Sequence, residues 1–292
     1  MRYLLLIISM NLYSMNLLAQ ETYLDQSKEP LFHQITEAYD NALYGRAIDL
    51  ANDYLAQGRQ LNQDHTPTSE TLVNIISRIS AVHLERDGAS LELENYALSI
   101  NPDHLTDKAF FVLGNYFYNE KEYDSAIHYF DQVNELQLTD KQFTEATFKQ
   151  AYSYFVTKDF NAAENKLLQI KDIRDIYYYP ANYYYGMTKY YKRDYDAAIK
   201  SYERVSSSSQ YKAHIPYYIA QIYFAQDKMT ELVSYGEKVI VKPETKKIKE
   251  IRLLLGQAYF QQANYSKALP HLKYYEKNTE KLTNDEFYQL AF

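Results

Sequence analysis

The chain has 292 residues, 46% hydrophobic and 24% charged, a globular balance, with only 7 Gly and 7 Pro to punctuate it, which favours long helices. Lys and Arg total 31 against 38 Asp and Glu, a net charge of -7, and this disfavours a nucleic-acid backbone as partner. Cys is absent, which excludes disulfides, thiolate metal sites, a thiol nucleophile and a lipid-bearing N-terminal cysteine; the oddity to explain is 33 Tyr beside 13 Phe and no Trp.

Residues 1–19 read as a signal peptide: Arg2, the apolar run Leu4 to Ile8, then Leu17, Leu18 and Ala19 before a cut ahead of Gln20. Ser9, Asn11, Ser14 and Asn16 interrupt the run, and a membrane span needs about 20 predominantly apolar residues. The expectation is an exported protein, periplasmic or outer-membrane-associated, with no transmembrane helix in the mature chain.

Residues 20–106 predict degenerate helical repeats. Leu31 to Leu55 carries Ile35, Tyr39, Tyr44, Ala47, Ala51 and Tyr54 at helical spacings. Gly58 to Ser69, with Asn62, Asp64 and Thr66-Pro67, reads as a loop. Leu72, Ile75, Ile76, Ile79 and Val82 form an apolar stripe, and Ala97, Leu98, Ile100, Asn101 and Pro102 look like the end of a repeat.

From Asp107 the repetition is regular. Phe110, Leu113, Gly114, Phe117, Tyr123, Ala126, Phe130 and Val133 have the spacing of two short amphipathic helices. With Gly114 as marker, equivalents fall at Ala151, Gly186, Ala220, Gly256 and Ala291, in steps of 37, 35, 34, 36 and 35 residues. Twelve after each marker stand Ala126, Ala163, Ala198, Leu232 and Ala268; seven further on stand Val133, Ile170, Val205, Val239 and Tyr275. A Gly or Ala lets two helix backbones approach closely while large neighbours fill the space beside the contact. In an exposed helix interior each Gly would cost about 1 kcal/mol relative to Ala, so tight packing is the expected compensation.

These residues resemble the tetratricopeptide repeat, a helix-turn-helix family of about 34 residues. The resemblance implies an all-α, right-handed superhelical solenoid of antiparallel helix pairs. It predicts five repeats at about 107–143, 144–178, 179–212, 213–248 and 249–282, then residues 283–292 as the first helix of an incomplete repeat. Departures are the missing Trp, Leu232 where Ala is usual, Gly236 where a large residue is usual, and Pro270 inside a second helix, where a bend or late start is expected. Helices should stop at the junctions carrying Pro102, Pro180, Pro243 and the Ser206 to Ser209 run. Glu286, Phe287, Leu290 and Ala291 begin a helix with no second helix behind it, which suggests a longer array or an end covered by a partner. The runs Tyr177 to Gly186 and Ile215 to Tyr223 are also similar to long exported repeat proteins of Bacteroidota, whose role is poorly defined; that likeness implies envelope residence and scaffolding.

No chemistry of catalysis is written in the chain. The seven histidines (His33, His65, His83, His104, His128, His214 and His271) are scattered, without a His-Glu-x-x-His pair, and there is no phosphate loop, Gly-x-Ser-x-Gly elbow or calcium loop. Asp194 and Asp196 read as helix-start residues. No catalytic residue, metal or cofactor is expected.

The family places its ligands on certain first-helix faces. Three before the markers stand Phe111, Phe148, Tyr183, Tyr217 and Leu253; one after stand Asn115, Tyr152, Met187, Gln221 and Gln257; four after stand Tyr118, Phe155, Tyr190, Phe224 and Phe260. Together they predict a Tyr-rich groove with amide partners, a mixture that supplies contact area and hydrogen bonding at low entropy cost. Aromatics at this spacing equally serve inter-helix packing. Tyr183 to Tyr185, three neighbours on one helix, cannot all face the core. Some members of the family clamp a C-terminal carboxylate with Lys three before the marker and Asn one after; only Asn115 matches, and Phe111 replaces the Lys. The expectation is a non-catalytic protein-protein interaction scaffold of the envelope binding peptide or helix partners. A glycan-binding module of an uptake system, and the N-terminal repeat region of a longer multidomain protein, are the alternatives.

Overall fold

A computed structural model describes residues 29–60, 67–100, 104–280 and 283–291. The predicted signal peptide, and the Asn62, Asp64, Asn101 and Pro102 of the predicted loop and repeat end, lie outside the described residues. Among those described the regular structure is entirely helical, and it divides into two compact units, one ending at Thr139 and the other beginning at Asp140.

The first unit holds three antiparallel pairs: α1 (Glu29–Asp40) with α2 (Tyr44–Gln60), α3 (Pro67–His83) with α4 (Ala89–Ser99), and α5 (His104–Asn119) with α6 (Tyr123–Phe130), followed by a 3-10 turn at Glu135–Gln137. The second holds α7 (Asp140–Val156) with α8 (Phe160–Ile170), α9 (Tyr178–Tyr191) with α10 (Tyr195–Arg204), α11 (Ile215–Ala225) with α12 (Met229–Val239), α13 (Ile248–Gln261) with α14 (Tyr265–Lys277), and the single α15 (Asn284–Ala291).

Small markers sit where helices cross. A Cβ built on Gly114 would stand 2.7 Å from the Phe130 ring, one on Gly186 2.7 Å from the Tyr202 ring, and one on Gly256 2.6 Å from Leu272 Cδ2. Each partner lies sixteen residues on, in the second helix of the same pair. Ala126, Ala163, Ala198 and Ala268 are buried in the same crossings. In the first pair the sizes are exchanged: Ile35 holds the marker position and Ala51 the position sixteen on, both fully buried. Each buried Leu, Ile or Phe contributes roughly 1.5–3 kcal/mol of transfer free energy, so these crossings carry the stability that a chain without disulfides needs.

The turns inside the pairs share a left-handed residue that is never glycine, although the turn between α3 and α4 also carries Gly88 at φ 72°. Ala42, Glu85, Lys121, Lys158, Arg193, Asp227 and Ala263 all take positive φ, between 51° and 66°. All but Glu85 lie seven after a marker or, for Ala42, seven after Ile35. Around Arg193 the closing bonds are Arg193 N–H to Tyr190 O at 3.0 Å and Asp194 N–H to Lys189 O at 2.9 Å. Those two bonds are the Schellman pattern, which satisfies carbonyls left over at a helix end. Asp159 and Asp194 then accept from the N–H of Ala162 and Ala197 and cap the second helices, as expected for Asp194.

Three expectations are corrected. The predicted loop at Gly58 to Ser69 is shorter, because α2 runs to Gln60 and α3 starts on Pro67, whose fixed φ and missing N–H suit a first helical position. Pro180 stops nothing: it is the third residue of α9, where its missing N–H has no intrahelical acceptor to lose. Of the two outcomes expected at Pro270, the late start is the one corrected: Pro270 lies inside α14, and Tyr265 begins nine residues after Gly256, the offset by which Tyr195 follows Gly186.

Candidate functional site

In the first unit, Phe111 is half-buried against the core, Asn115 Nδ2 donates back to Phe111 O at 2.9 Å, and Tyr118 meets Tyr123 edge-on at 6.1 Å.

In the second unit two of the candidate groove residues are core. Phe148 is 8% exposed and packs with Ala151, Leu167 and Tyr185; Met187 is 7% exposed, and its sulfur accepts the hydroxyl of the fully buried Tyr202 at 3.3 Å. The reason is local: a thioether is a soft acceptor beside an otherwise unmatched buried hydroxyl.

Tyr152 and Phe155 are half-buried, and a tyrosine of the Tyr183 to Tyr185 run that was not among the predicted groove positions covers both. Tyr184 stands edge-on to Tyr152 at 4.9 Å and to Phe155 at 5.3 Å, and lies 6.0 Å from Phe148. Tyr218 repeats that role on the next helix, meeting Tyr183 at 6.4 Å, Tyr190 at 6.2 Å and Tyr202 at 5.8 Å. Both lie two before a marker. Tyr211, from the loop after the serine run, stacks on Tyr183 at 4.4 Å and 21°. The tyrosine-rich runs are thus mostly the filling between first helices. Burial raises the hydroxyl pKa of Tyr183, Tyr184 and Tyr202 well above the ordinary tyrosine value, with neighbouring tyrosines adding to the effect. Tyr185 is buried, and Tyr183 and Tyr184 are half-buried, as three successive helical residues require.

The remaining candidates keep polar atoms at the surface. The Tyr190 hydroxyl donates to Gln221 Oε1 at 3.3 Å, and Gln221 Nε2 donates to the Tyr217 hydroxyl at 2.7 Å. This row joins α9 to α11, one helix pair to the next. Lys247, another residue the sequence reading missed, places Nζ 4.6 Å from the centre of the Tyr217 ring. A doubled lysine at Lys246-Lys247 was its only sequence signal. Burial raises the Tyr190 and Tyr217 pKa values, so both are neutral hydroxyls near pH 7. Tyr217 retains its O–H as a donor and Tyr190 an oxygen lone pair as acceptor, the complement of a peptide group.

Phe224 packs against the buried cluster that holds Ala220, Leu232 and Ile251, and Phe260 meets Tyr265 edge-on at 5.2 Å, bracing the turn inside its pair. Phe260 also lines a cleft of about 230 Å3 with Tyr265, Leu269 and Leu290. Gln257 and Leu253 are half-buried on α13.

Among the described residues, no cluster of three or more His, Asp or Glu could hold a metal, and no helix is long and apolar enough to cross a membrane. His271 is the most enclosed imidazole described: Nε2 lies 3.0 Å from Glu237 Oε1, which also accepts from Tyr259 at 3.0 Å.

No family model matches the sequence, and no curated relative was found. Solved structures do match. The C-terminal part of a TPR repeat-containing protein from Cytophaga hutchinsonii is 18% identical, covering 89% of this chain and 100% of that one at a TM-score of 0.54. The apo form of RapI is 13% identical over 87% of this chain and 77% of its own, at 0.53. A chain of the Naa15/Naa10 assembly bound to HypK-THB is 11% identical over 90% of this chain and 38% of its own, at 0.59. The chain has the tetratricopeptide-repeat fold. Within that fold the marker positions are the helix crossings, and the Tyr190, Gln221 and Tyr217 row lies on first helices.

Proposed function

We propose that this protein is a non-catalytic, exported interaction scaffold whose second unit holds an extended peptide or a partner helix along the row Tyr190, Gln221 and Tyr217. The observation that carries the reading is the hydrogen-bonded row itself: two tyrosines and an amide, half-buried, bridging successive helix pairs and keeping a free donor and a free acceptor. Rigid aromatic rings with few rotatable bonds lose little entropy on binding, and amides adapt to a passing backbone. A fold of stacked helix pairs offers an extended surface, which suits a segment better than a small molecule. The chain of the Naa15/Naa10 assembly bound to HypK-THB is a precedent for partner capture on this fold. Export rests on the sequence of residues 1–19.

Two measurements test it. Selection of displayed decapeptides on the mature protein should return binders that Tyr190→Ala weakens; binders indifferent to Tyr190→Ala and Gln221→Ala would remove the row from the account. N-terminal sequencing of the protein from a cell-envelope fraction should begin at Gln20, and an intact Met1 there would refute the export reading.

A further inference from the structure

Five cations of the second unit before the serine run are matched, each within one helix pair or between neighbouring helices: Lys149 with Glu145, Lys171 and Arg204 with Asp172, Lys189 with Glu164 and Asp194, and Lys192 with Glu164. The others there, Lys158 and Arg193 among them, are scattered singly along the sequence. Further on, residues 238–249 hold five lysines and one glutamate in a chain whose net charge is -7. Lys238, Lys242, Lys246 and Lys247 make no ion pair among the described residues. Lys249 reaches only the carbonyl of Asn278, at 3.4 Å. The nearby acids are Glu244, in the same turn, and Glu250, whose charge is felt at Tyr217.

Two contacts tie this unmatched charge to the row already described. Lys247 lies over the Tyr217 ring, and the Lys246 N–H donates to Ala213 O at 2.9 Å, holding the turn beside α11. Next to Ala213, burial and then the charges of Lys246 and Lys247 lower the pKa of His214, so their positive field reaches the start of α11. Unpaired like charges held together raise the energy of the free protein, and an anion relieves that repulsion while gaining a steered approach.

Building on that proposed function, we infer that the segment held by the Tyr190, Gln221 and Tyr217 row is an acidic peptide, whose Asp or Glu side chains lie against Lys246 and Lys247. Its backbone runs on past Tyr217 toward Tyr190. Affinity falls with added salt, because the lysines are exposed and their field is screened over about 10 Å at 0.1 M salt.

The test is a displayed random-decapeptide selection on the mature wild type and on Lys246→Gln/Lys247→Asn, Asn being tolerant of the left-handed backbone at position 247, where φ is 58°. Helical circular dichroism confirms that the variant is folded. The expected result is enrichment of Asp and Glu on the wild type, lost on the double variant. The best acidic decapeptide should bind the variant roughly tenfold more weakly, as expected when charge partners are removed. Enrichment without acids, or acids enriched equally on both proteins, overturns the acidic-peptide inference and leaves the row standing. Peptides unaffected by Tyr190→Ala overturn the row itself. Phosphatidylglycerol vesicles that co-sediment with the wild type but not with the double variant, while acidic peptides do not bind, would assign the lysines to lipid and also overturn the inference.

Discussion

Gly236 lies under Leu255: a Cβ built on the glycine would stand 2.7 Å from Leu255 Cδ2 and 3.0 Å from its Cγ. The neighbouring position of the same helix, Leu232, is fully buried where the other repeats carry Ala. Bulk has moved one turn along α12, and the space that a large residue would occupy at position 236 is filled from α13. Gly236→Ala should therefore destabilise by about 1–3 kcal/mol, the usual cost of overpacking, although alanine is the better helix former. Gly236→Ala with Leu255→Val should recover part of that loss. A urea midpoint for the three proteins decides it; a stabilised Gly236→Ala would mean that Leu255 is free to move.

Gly186 makes the sharper case, because its neighbours are the Tyr202 ring at 2.7 Å and Ser201 Cβ at 3.3 Å, and Tyr202 has no exposed surface to move into. Gly186→Ala should cost at least as much as Gly236→Ala, with near-ultraviolet circular dichroism reporting displaced tyrosines.

The left-handed turns offer the opposite sign. A non-glycine residue in the left-handed region costs about 1–2 kcal/mol, part of which glycine returns in the entropy of the unfolded chain. Lys158→Gly and Arg193→Gly, at φ 66° and 61°, should each stabilise by up to about 1 kcal/mol. Lys158→Val should destabilise. Thermal melts of the set give the order Gly, wild type, Val if the turn geometry holds.

The same features show what was readable in advance. The helix crossings were legible because small residues recur at a fixed step and sterics leave little choice at a crossing. The turns were not, since Lys, Arg, Asp and Ala all occupy a conformation that usually advertises itself as Gly. Within the candidate face, the polar row followed from marker spacing, but Phe148 and Met187 did not: burial of Met187 depends on Tyr202 needing an acceptor. Tyr184 and Tyr218 escaped because they sit beside the markers that drew attention, and Tyr211 because a loop residue has no period.

Alkaline titration probes the tyrosine filling. Burial holds Tyr183, Tyr184 and Tyr202 neutral in the fold, while in the unfolded chain tyrosine ionises near pH 10. Their stabilising contribution is complete below that value and is lost as pH rises above it. Absorbance at 295 nm should include a late step that coincides with loss of helical circular dichroism. Tyr202→Phe should move that step to higher pH.

His271 gives a pH dependence at the acid end. Burial lowers its pKa below the ordinary histidine value of about 6.5, Glu237 opposes the shift and Arg252 adds to it. A lowered pKa stabilises above the unfolded value, so this contribution is present at pH 7 and is lost as pH falls below about 6.5. The urea midpoint should drop between pH 7.5 and pH 5, and His271→Gln should flatten that drop. An unchanged slope in His271→Gln would assign it to other groups.

The central claim concerns the row that joins α9 to α11. The decisive measurement is calorimetric affinity of the best selected decapeptide for wild type, Tyr190→Ala, Gln221→Ala and the control Tyr179→Ala, whose hydroxyl faces Ser207 instead. The account predicts a loss of about tenfold or more for the two row variants and wild-type affinity for Tyr179→Ala. Equal affinity across all four proteins would contradict it.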